Sequence, residues 1–326
     1  MQMKRIDVRQ AAERLQTAPA LRILVHSHPD GDTLGCAFAL ARAMHWLGKD
    51  VCVLSEDPIP EMFAFMAAGL PQREREYGLL VCVDVADEHL LGKRQVERFG
   101  GRIALNLDHH ATNPLFAAET CVDPAAAAAA ELVCDVIDTL GVPLDTAMAS
   151  CLYAGISTDT GCFRYSNTTA RSHRCAARFM ELGTPAAELD RAFFETKTKT
   201  CAALERMAFE GLRFYCGDRV AMIVVTQAMF RKSGSNEEEF IKLVPQTRQI
   251  EGVLVGVSIR EREDGSFKIS LRSHAPVDAA EICARMGGGG HARAAGCASE
   301  KPLGATVEEI VGYIDEALQG VGKEFC

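Results

Sequence analysis

The stretch that decides the fold is Leu21-Arg-Ile-Leu-Val-His-Ser-His-Pro-Asp-Gly-Asp32. Its first part, Leu21–Ser27, is a short apolar run of the kind that forms buried strands in parallel sheets. Its second part places histidines and aspartates among turn-forming residues. A helix is predicted to follow over Leu34–Leu47 and to end at Gly48. The stretch therefore predicts a strand, a polar loop and a helix.

The same alternation continues through the first half of the chain. Further strands are predicted at Val51–Leu54, Leu79–Val85 and Ile103–Leu107. Asp123, followed by Pro124, is predicted to cap an alanine-rich helix that runs to about Leu140. Another helix is predicted over Asp145–Gly155. Strands that alternate with helices in this way predict an α/β fold with a doubly wound parallel sheet.

The second half of the chain predicts a smaller α/β domain. Its strands and helices are predicted at Leu212–Tyr215, Val220–Val225, Gly252–Arg260, Phe267–Arg272, Asp278–Met286 and Thr306–Leu318. The residues before it are polar and helical in composition. We therefore expect a first domain over 1–190, a helical connector over 191–211 and a second domain over 212–326, with a cleft between the two domains.

The composition restricts the compartment and the partners. Hydrophobic residues make up 48% of the chain, and its net charge of −9 lacks the basic excess with which proteins grip long nucleic acids. The 13 cysteines stand singly, from Cys36 to Cys326, as is typical of buried thiols in a reducing compartment. No apolar run approaches the ~20 residues of a membrane span, and the first residues are polar. We expect a cytoplasmic protein without a membrane partner; a homodimer is one expectation for its assembly.

Histidines and aspartates gather where the predicted strands end. The four clusters are His26-Ser-His-Pro-Asp-Gly-Asp32, Asp84, Asp108-His109-His110 and Asp159. Sites in open α/β sheets form outside the carboxyl ends of the strands, where all four clusters can converge. Packed carboxylates repel each other unless a cation neutralises them, and mixed imidazole and carboxylate ligands suit manganese. The ligands are too many for one ion, so we expect two divalent ions, best matched by Mn²⁺, that share a carboxylate.

These clusters match, in order, the motifs of the DHH phosphoesterase family, which the chain resembles. The run Gly287-Gly-Gly-Gly-His-Ala-Arg-Ala-Ala-Gly296 resembles the glycine-rich signature of the DHH-associated domain. The run Gly161-Cys-Phe-Arg-Tyr-Ser-Asn-Thr-Thr169 and the compact length resemble the nanoRNase branch of the family. The resemblance covers nearly the whole chain.

The resemblance implies a role for each residue of the clusters. The implied ligands are His26 and Asp30 for one ion, Asp32, His109 and Asp159 for the other, and Asp84 as the bridge. His110 would face the scissile phosphate and stabilise charge or protonate the leaving oxygen. Asp108 would orient a ligand histidine through a hydrogen bond, without itself contacting the metal. His28 has no role in the family pattern and is interpreted as a loop histidine.

The resemblance also implies that the second domain binds substrate. His291 and Arg293 would hold the terminal phosphate or the base, with Arg272 beside them. The glycines before His291 are predicted to form a loop whose backbone approaches a ligand and presents N–H groups to phosphate. Near the metal cluster, Arg164 is a further candidate for a phosphate contact. The predicted substrate-binding residues are Arg164, Arg272, Ser273, Gly288, Gly289, Gly290, His291 and Arg293.

The implied activity is hydrolysis of phosphate esters in small nucleotides. By resemblance to the nanoRNase branch, the substrates would be very short oligoribonucleotides, cleaved to mononucleotides, and 3′-phosphoadenosine 5′-phosphate (pAp), converted to AMP. Cyclic or linear dinucleotides, such as cyclic di-AMP and its products, are the main alternative. A RecJ-type single-strand exonuclease is less expected because extra nucleic-acid-binding modules are not found. The glycine run argues against an inorganic pyrophosphatase, and the intact ligand set argues against a non-catalytic nucleotide sensor.

Overall fold

The computed structural model describes residues 3–71 and 77–319. The chain divides into two compact units, residues 1–196 and residues 197–326. Within the described ranges, no helix has the length and apolar character needed to cross a membrane. The cysteines in these ranges are free thiols, most of them buried, and Cys326 lies outside the described residues.

The first unit is built on a six-stranded sheet whose neighbouring strands are all parallel. The strands are β1 (Lys4–Arg5), β2 (Ala20–Leu24), β3 (Asp50–Leu54), β4 (Leu79–Val83), β5 (Leu105–Asp108) and β6 (Glu119–Val122). Their order across the sheet is β1-β6-β5-β4-β2-β3. The chain winds from β2 to β3 in one direction and then from β4 onward in the other. This reversal opens a crevice at the carboxyl ends of β2 and β4.

Helices cover both faces of this sheet. They are α1 (Val8–Thr17), α2 (Gly31–Trp46), α3 (Lys93–Phe99), α4 (Ala129–Thr139), α5 (Thr146–Asp159), α6 (Ala170–Glu181) and α7 (Ala186–Asp190), with 3-10 turns at Glu61–Ala67 and Glu88–Leu91 and a π turn at Arg191–Glu195. Successive residues of the strands pack into two different hydrophobic cores. Ile23 and Val81 pack in the larger core, while Leu24 and Cys82 pack in a smaller core with Phe99 of α3. Burial on both faces is the doubly wound arrangement that the sequence predicts.

Glycines allow α2 and α5 to pack closely. A Cβ added to Gly35 would lie 2.3 Å from the carbonyl oxygen of Cys151, and one added to Gly155 would lie 2.6 Å from Asp32 Oδ1. Real Cβ atoms essentially never come this close, so a larger residue would force a shift. The close approach brings Asp32, near the start of α2, against the second half of α5.

The alanine-rich helix α4 begins later than predicted. Asp123 caps only a turn, where its Oδ1 accepts from the N–H of Ala125 at 3.1 Å. The helix starts at Ala129, and the N–H groups of Ala129 and Ala130 donate to the carboxylate of Asp32. The prediction of a cap at Asp123 was therefore wrong, because a carboxylate distant in sequence satisfies the first N–H groups of the helix.

The second unit is a mixed sheet with helices on both faces, in agreement with the predicted second α/β domain. Its strands are β7 (Arg213–Tyr215), β8 (Val220–Val225), β9 (Val255–Glu261), β10 (Phe267–Ser273), β11 (Gly289–His291) and β12 (Ala294–Ser299), in the order β11-β12-β10-β9-β8-β7. Strands β8 and β9 are parallel, and the other neighbouring pairs are antiparallel. The helices are α8 (Lys199–Glu210), α9 (Gln227–Ser233), α10 (Glu237–Ile241), α11 (Ala279–Ala284) and α12 (Leu303–Gln319), with a 3-10 turn at Gln246–Gln249.

The stretch predicted as a connector is helical, and its parts pack into the two cores. Leu204 and Ala208 of α8 are buried with Ile223 and Val225 of β8 in the second unit. Phe193, in the π turn before α8, is buried in the core of the first unit. The boundary between the two units follows Thr196, within the predicted connector.

Candidate metal centre

Acidic and histidine side chains meet beside the crevice at the carboxyl ends of β2 and β4. His26 follows β2, Asp84 follows β4 directly, and Asp108 is the last residue of β5. Asp159 is the last residue of α5, which packs against α2. These residues are far apart in the sequence, and the sheet topology brings them together.

The start of α2 supplies two carboxylates that are held differently. Asp30 caps the helix, since its Oδ1 accepts from the N–H of Asp32 at 3.0 Å and of Thr33 at 3.1 Å. Asp32 is buried, and its two oxygens accept from the N–H of Ala129 at 2.6 Å and of Ala130 at 3.0 Å. The positive end of α4 offsets part of the penalty for burying this carboxylate, although burial still raises the pKa of Asp32.

Backbone carbonyls orient the two histidines predicted as ligands. His26 Nδ1 lies 2.8 Å from the carbonyl oxygen of Ser27, and His109 Nδ1 lies 3.2 Å from that of Ala126. Because a carbonyl only accepts hydrogen bonds, the proton of the neutral ring belongs on Nδ1 in both residues. Nε2 then presents a lone pair to the cluster, which is the tautomer that a metal ligand needs.

The side chains form three overlapping groups that could each hold a metal ion. Within each group the ligand atoms lie within 4.8 Å of one another; the groups are His26, Asp30 and Asp84; Asp32, His109 and Asp159; and Asp84, His109 and His110. Asp84 links them, since its Oδ2 lies 3.9 Å from His26 Nε2 and its Oδ1 lies 3.6 Å from His109 Nε2. One carboxylate therefore faces both sides of the cluster, as a bridging ligand would.

Asp84 has a conformation and an environment that fit this position. Its φ is +55°, in the left-handed region, and its N–H donates to the carbonyl oxygen of Leu107 at 2.9 Å. Its side chain is 5% exposed, and among the described residues no donor reaches its Oδ1. A buried carboxylate oxygen without a partner is unfavourable unless a cation lies beside it. The strained backbone and the unpartnered oxygen both fit a residue retained for metal binding.

The electrostatics of the cluster also fit a cation. Burial, reinforced by the charges of Asp32 and Asp30, raises the pKa of Asp84 well above its usual range. The same causes raise the pKa of Asp159 to about 8. The carboxyls therefore repel one another when ionised, and divalent cations would relieve that repulsion.

His110 is held by a carboxylate behind it. Its Nδ1 lies 2.7 Å from Oδ1 of the fully buried Asp108, whose hydrogen bond raises the pKa of His110. Asn113 Nδ2 donates to the other oxygen of Asp108 at 2.6 Å and to the carbonyl of Val85 at 3.2 Å. Asp108 thus contacts His110, whereas His109 turns to a backbone carbonyl. The role of Asp108 in orienting a ligand histidine stays a prediction. No sequence signal indicated Asn113, which lies in a polar loop outside the matched motifs.

Two residues near the cluster have partners of their own. His28 is exposed, has a φ of +53° and donates its backbone N–H to Asp57 Oδ2 at 2.8 Å. It belongs to none of the ligand groups found in the described part of the chain, which agrees with a loop histidine. Arg164 Nε donates to the carbonyl of Gly161 at 2.6 Å, and its guanidinium lies 5.5 Å from the centre of the Phe194 ring.

In the second unit, two predicted substrate-binding residues stabilise one turn. Ser273 is buried, and its hydroxyl lies 2.8 Å from the carbonyl oxygen of Val277 and 3.0 Å from that of Ala292. Arg293 Nη1 donates to the carbonyl oxygens of His274 and Val277. Both side chains thereby connect the turn after β10 to the segment that follows the glycine run.

The glycine run is part strand. Gly289 and His291 bound β11, which pairs with β12, whereas the sequence predicts a loop here. A Cβ added to Gly288 would lie 2.2 Å from the backbone of β12, and one added to Gly290 would lie 2.6 Å from it. These two glycines are therefore required by the packing of the chain itself. Gly289 and His291 are exposed, and Arg272 of β10 is half-buried.

Comparison with known proteins identifies the family. The N-terminal domain of the DHH family matches residues 21–156, and the DHHA1 domain matches residues 220–320. The bifunctional oligoribonuclease and PAP phosphatase NrnA of Thermus thermophilus is 35% identical over 316 residues, which cover 90% of this chain and 91% of that protein. The chain belongs to the DHH family. The family match ends before Asp159, so the place of Asp159 in the centre of this DHH protein rests on the geometry.

Solved structures share the fold of this DHH protein. An exopolyphosphatase-related protein from Bacteroides fragilis is 21% identical, has a TM-score of 0.85 and covers 96% of this chain and 95% of its own. RecJ from Thermus thermophilus in complex with Mn²⁺ is 16% identical, has a TM-score of 0.54 and covers 95% of this chain and 55% of its own. At these identities, the likeness concerns the fold.

Proposed function

We propose that this DHH protein is a phosphoesterase that uses two divalent ions, Mn²⁺ by preference, to hydrolyse very short oligoribonucleotides to mononucleotides and pAp to AMP. The observation that carries the proposal is Asp84, a buried carboxylate that faces ligand groups on two sides and has an unpartnered oxygen among the described residues. The Thermus thermophilus relative, named for oligoribonuclease and PAP phosphatase activities, supports the substrate class.

The ligand set supports two ions rather than one. The proposed ligands are His26 and Asp30 for one ion, Asp32, His109 and Asp159 for the other, and Asp84 for both. When bound, a pair of divalent ions supplies Lewis acidity and lowers the pKa of the water that attacks phosphorus. The ligands are imidazoles and carboxylates, without thiolates. Such a set favours Mn²⁺ over structural Zn²⁺, whose sites are rich in thiolates.

His110 acts on the leaving group in this proposal. Asp108 holds Nδ1 at 2.7 Å, which directs Nε2 away from the buried carboxylate. The His110 side chain is 35% exposed, so Nε2 can reach a substrate phosphate. We expect Nε2–H to donate to a phosphoryl oxygen and to protonate the leaving oxygen, a role commonly worth about 10²–10⁴-fold in rate.

The second domain, proposed over 212–326, would bind the end of the substrate whose phosphate the first domain, proposed over 1–190, hydrolyses. His291 is exposed, and Arg272 and Arg293 lie in the strands and turn beside it. The net charge of −9 gives no general attraction for long strands. The free cysteines suit a reducing compartment, which favours the cytoplasm.

A turnover panel tests the proposal. The purified chain with Mn²⁺ is given pAp, RNAs of increasing length from the dinucleotide, a long single strand, cyclic di-AMP and pyrophosphate. We expect the highest kcat/KM for pAp and the shortest RNAs. A preference for cyclic di-AMP would support the dinucleotide alternative, and a preference for the long strand or pyrophosphate would assign one of the other activities. Binding of nucleotides without any turnover would indicate a sensor.

A matched pair of variants ties activity to the ligand groups. His26→Asn and His28→Asn change neighbouring histidines in one loop, and only His26 belongs to a ligand group among the described residues. Asparagine tolerates the positive φ of His28, so His28→Asn should keep the loop intact. We expect His26→Asn to lose nearly all turnover and His28→Asn to behave like the wild type. Equal losses in both would assign the effect to the loop and not to metal binding.

A further inference from the structure

Tyr165 is an exposed aromatic residue on the segment that follows α5, the helix whose last residue is the proposed metal ligand Asp159. Its residue exposure is 47%, and its backbone N–H donates to the carbonyl oxygen of Thr160 at 3.0 Å. Thr160 directly follows Asp159. Asn167 donates its side-chain N–H to the carbonyl oxygens of Asp159 at 3.1 Å and of Ala127 at 3.0 Å. Hydrogen bonds from Tyr165 and Asn167 thus hold this segment at the end of α5, where the proposed metal ligand Asp159 lies.

A left-handed turn brings the chain back to this place. Gly161, Cys162 and Phe163 have φ values of +58°, +57° and +60°. This conformation is unfavourable for the two residues with side chains. It is held by hydrogen bonds, since Cys162 N–H donates to the carbonyl of Ser157 at 2.7 Å and Phe163 N–H donates to Thr160 Oγ1 at 3.1 Å. Strained backbone that the surroundings hold in this way is commonly found at functional sites.

The turn also defines the position of the Tyr165 ring. A Cβ added to Gly161 would lie 2.3–2.5 Å from three atoms at the hydroxyl end of the ring, so the ring occupies the space that a side chain would need. The residue as a whole is nevertheless 47% exposed, so part of its surface is accessible to a ligand. A ring whose position is already restricted loses little conformational freedom when a second planar group stacks on it. It can therefore bind such a group with a small entropic penalty.

We propose that Tyr165 is a specificity-determining residue on which a base of the substrate stacks. The inference rests on the proposed function, since it concerns the nucleotide whose phosphate the metal centre hydrolyses. Every nucleobase has a π-face, so stacking holds a nucleotide without selecting its sequence. This suits an enzyme for short RNAs of any sequence and for pAp. It also gives a role to the run Gly161–Thr169, which the metal ligands alone do not explain.

Kinetics on substrates with and without a base separate stacking from a structural role. Wild type, Tyr165→Phe and Tyr165→Ala are compared on pAp and on 1-deoxyribose 3′,5′-bisphosphate, which lacks the adenine. Tyr165→Ala should lose about 5- to 150-fold in kcat/KM on pAp, carried by KM, which corresponds to the ~1–3 kcal/mol of base stacking. It should match the wild type on the abasic substrate, and Tyr165→Phe should match it on both. No loss on pAp, or equal losses on both substrates, would overturn the proposal.

Tyr77 provides the control for removal of an exposed tyrosine. It is 62% exposed and precedes β4, at the amino edge of the sheet and away from the metal centre. Tyr77→Ala should therefore leave the kinetics on pAp unchanged.

A binding measurement separates failure of this inference from failure of the proposed function. Calorimetry with AMP and ribose 5-phosphate should show that the wild type prefers AMP and that Tyr165→Ala loses this preference. Wild type that hydrolyses neither pAp nor short RNA defeats the proposed function, while loss of the AMP preference in Tyr165→Ala would still support stacking. An AMP preference that survives in Tyr165→Ala defeats the stacking proposal alone.

Discussion

Replacement of Gly155 by alanine should damage the metal centre without changing a ligand. Gly155 lies on the face of α5 that meets α2, where an added Cβ would lie 2.6 Å from Asp32 Oδ1 and 2.8 Å from the Cβ of Ala130. Ordinary contacts of a Cβ begin at 3.4 Å, so Asp32 or the helix must move by about 0.8 Å. Asp32 cannot turn aside without loss, because the N–H groups of Ala129 and Ala130 hold both of its oxygens.

The size of the effect follows from this shift. Metal–ligand distances tolerate about ±0.2 Å, so a movement of about 0.8 Å takes Asp32 out of its group with His109 and Asp159. Loss of an outer-shell partner weakens metal binding about 10- to 100-fold, and we expect the upper end of that range or more. Overpacking destabilises a core by about 1–3 kcal/mol, of which about 1 kcal/mol is offset by the better helix propensity of alanine.

Mn²⁺ content per chain, measured by mass spectrometry after dialysis at graded free Mn²⁺, gives the affinity, and chemical denaturation gives the stability. Gly312→Ala is the matched control, because Gly312 lies within α12 and an added Cβ would meet no atom within 4 Å. That variant should gain up to about 1 kcal/mol and bind Mn²⁺ as the wild type does. Wild-type Mn²⁺ affinity and turnover in Gly155→Ala would show that Asp32 is not a ligand held in place by this close packing.

Three further predictions concern single side chains. His110→Ala should keep its Mn²⁺ and lose about 10²–10⁴-fold in kcat, whereas His109→Ala should lose an ion; the reverse pattern of metal content would exchange the two roles. Asn113→Ala removes the 2.6 Å hydrogen bond to Asp108 and should lower kcat about 10-fold at unchanged metal content, so an unaltered kcat would count against support of His110 through Asp108. Arg293→Ala should raise KM more for pAp than for bis-p-nitrophenyl phosphate; equal losses with a lower melting temperature would limit Arg293 to a structural role.

The sequence predicts those parts of the fold whose signals are local. Short apolar runs located β2 and β8, and alternating apolar and polar residues located β10, because the buried face of a strand must be apolar wherever the strand lies in the sheet. The start of α4 was missed because its cap is Asp32, almost a hundred residues earlier in the chain. The edge strand β1 has two exposed polar residues and therefore carries no hydrophobic signal.

For the site, residue types and order predicted the cluster, whereas the pairing of side chains needed the structure. Residues from each of the four clusters come together in overlapping groups of possible metal ligands, whereas His28 belongs to none of the groups found among the described residues. Which histidine contacts Asp108 depends on side-chain rotamers that tertiary contacts set. These rotamers cannot be predicted from the sequence. Arg164 illustrates the same limit, since its guanidinium packs on Phe194, a neighbour that only the fold reveals.

The metal content and turnover of Asp84→Asn show whether Asp84 bridges two catalytic metal ions. Asparagine keeps the shape of the side chain and tolerates the φ of +55°, but it removes the charge that the ligand groups share. We expect the wild type to bind two Mn²⁺ per chain and to hydrolyse pAp, and Asp84→Asn to bind less than one Mn²⁺ at the same free concentration and to have almost no activity. If the variant keeps both ions and hydrolyses pAp at the wild-type rate, Asp84 does not bridge two catalytic ions.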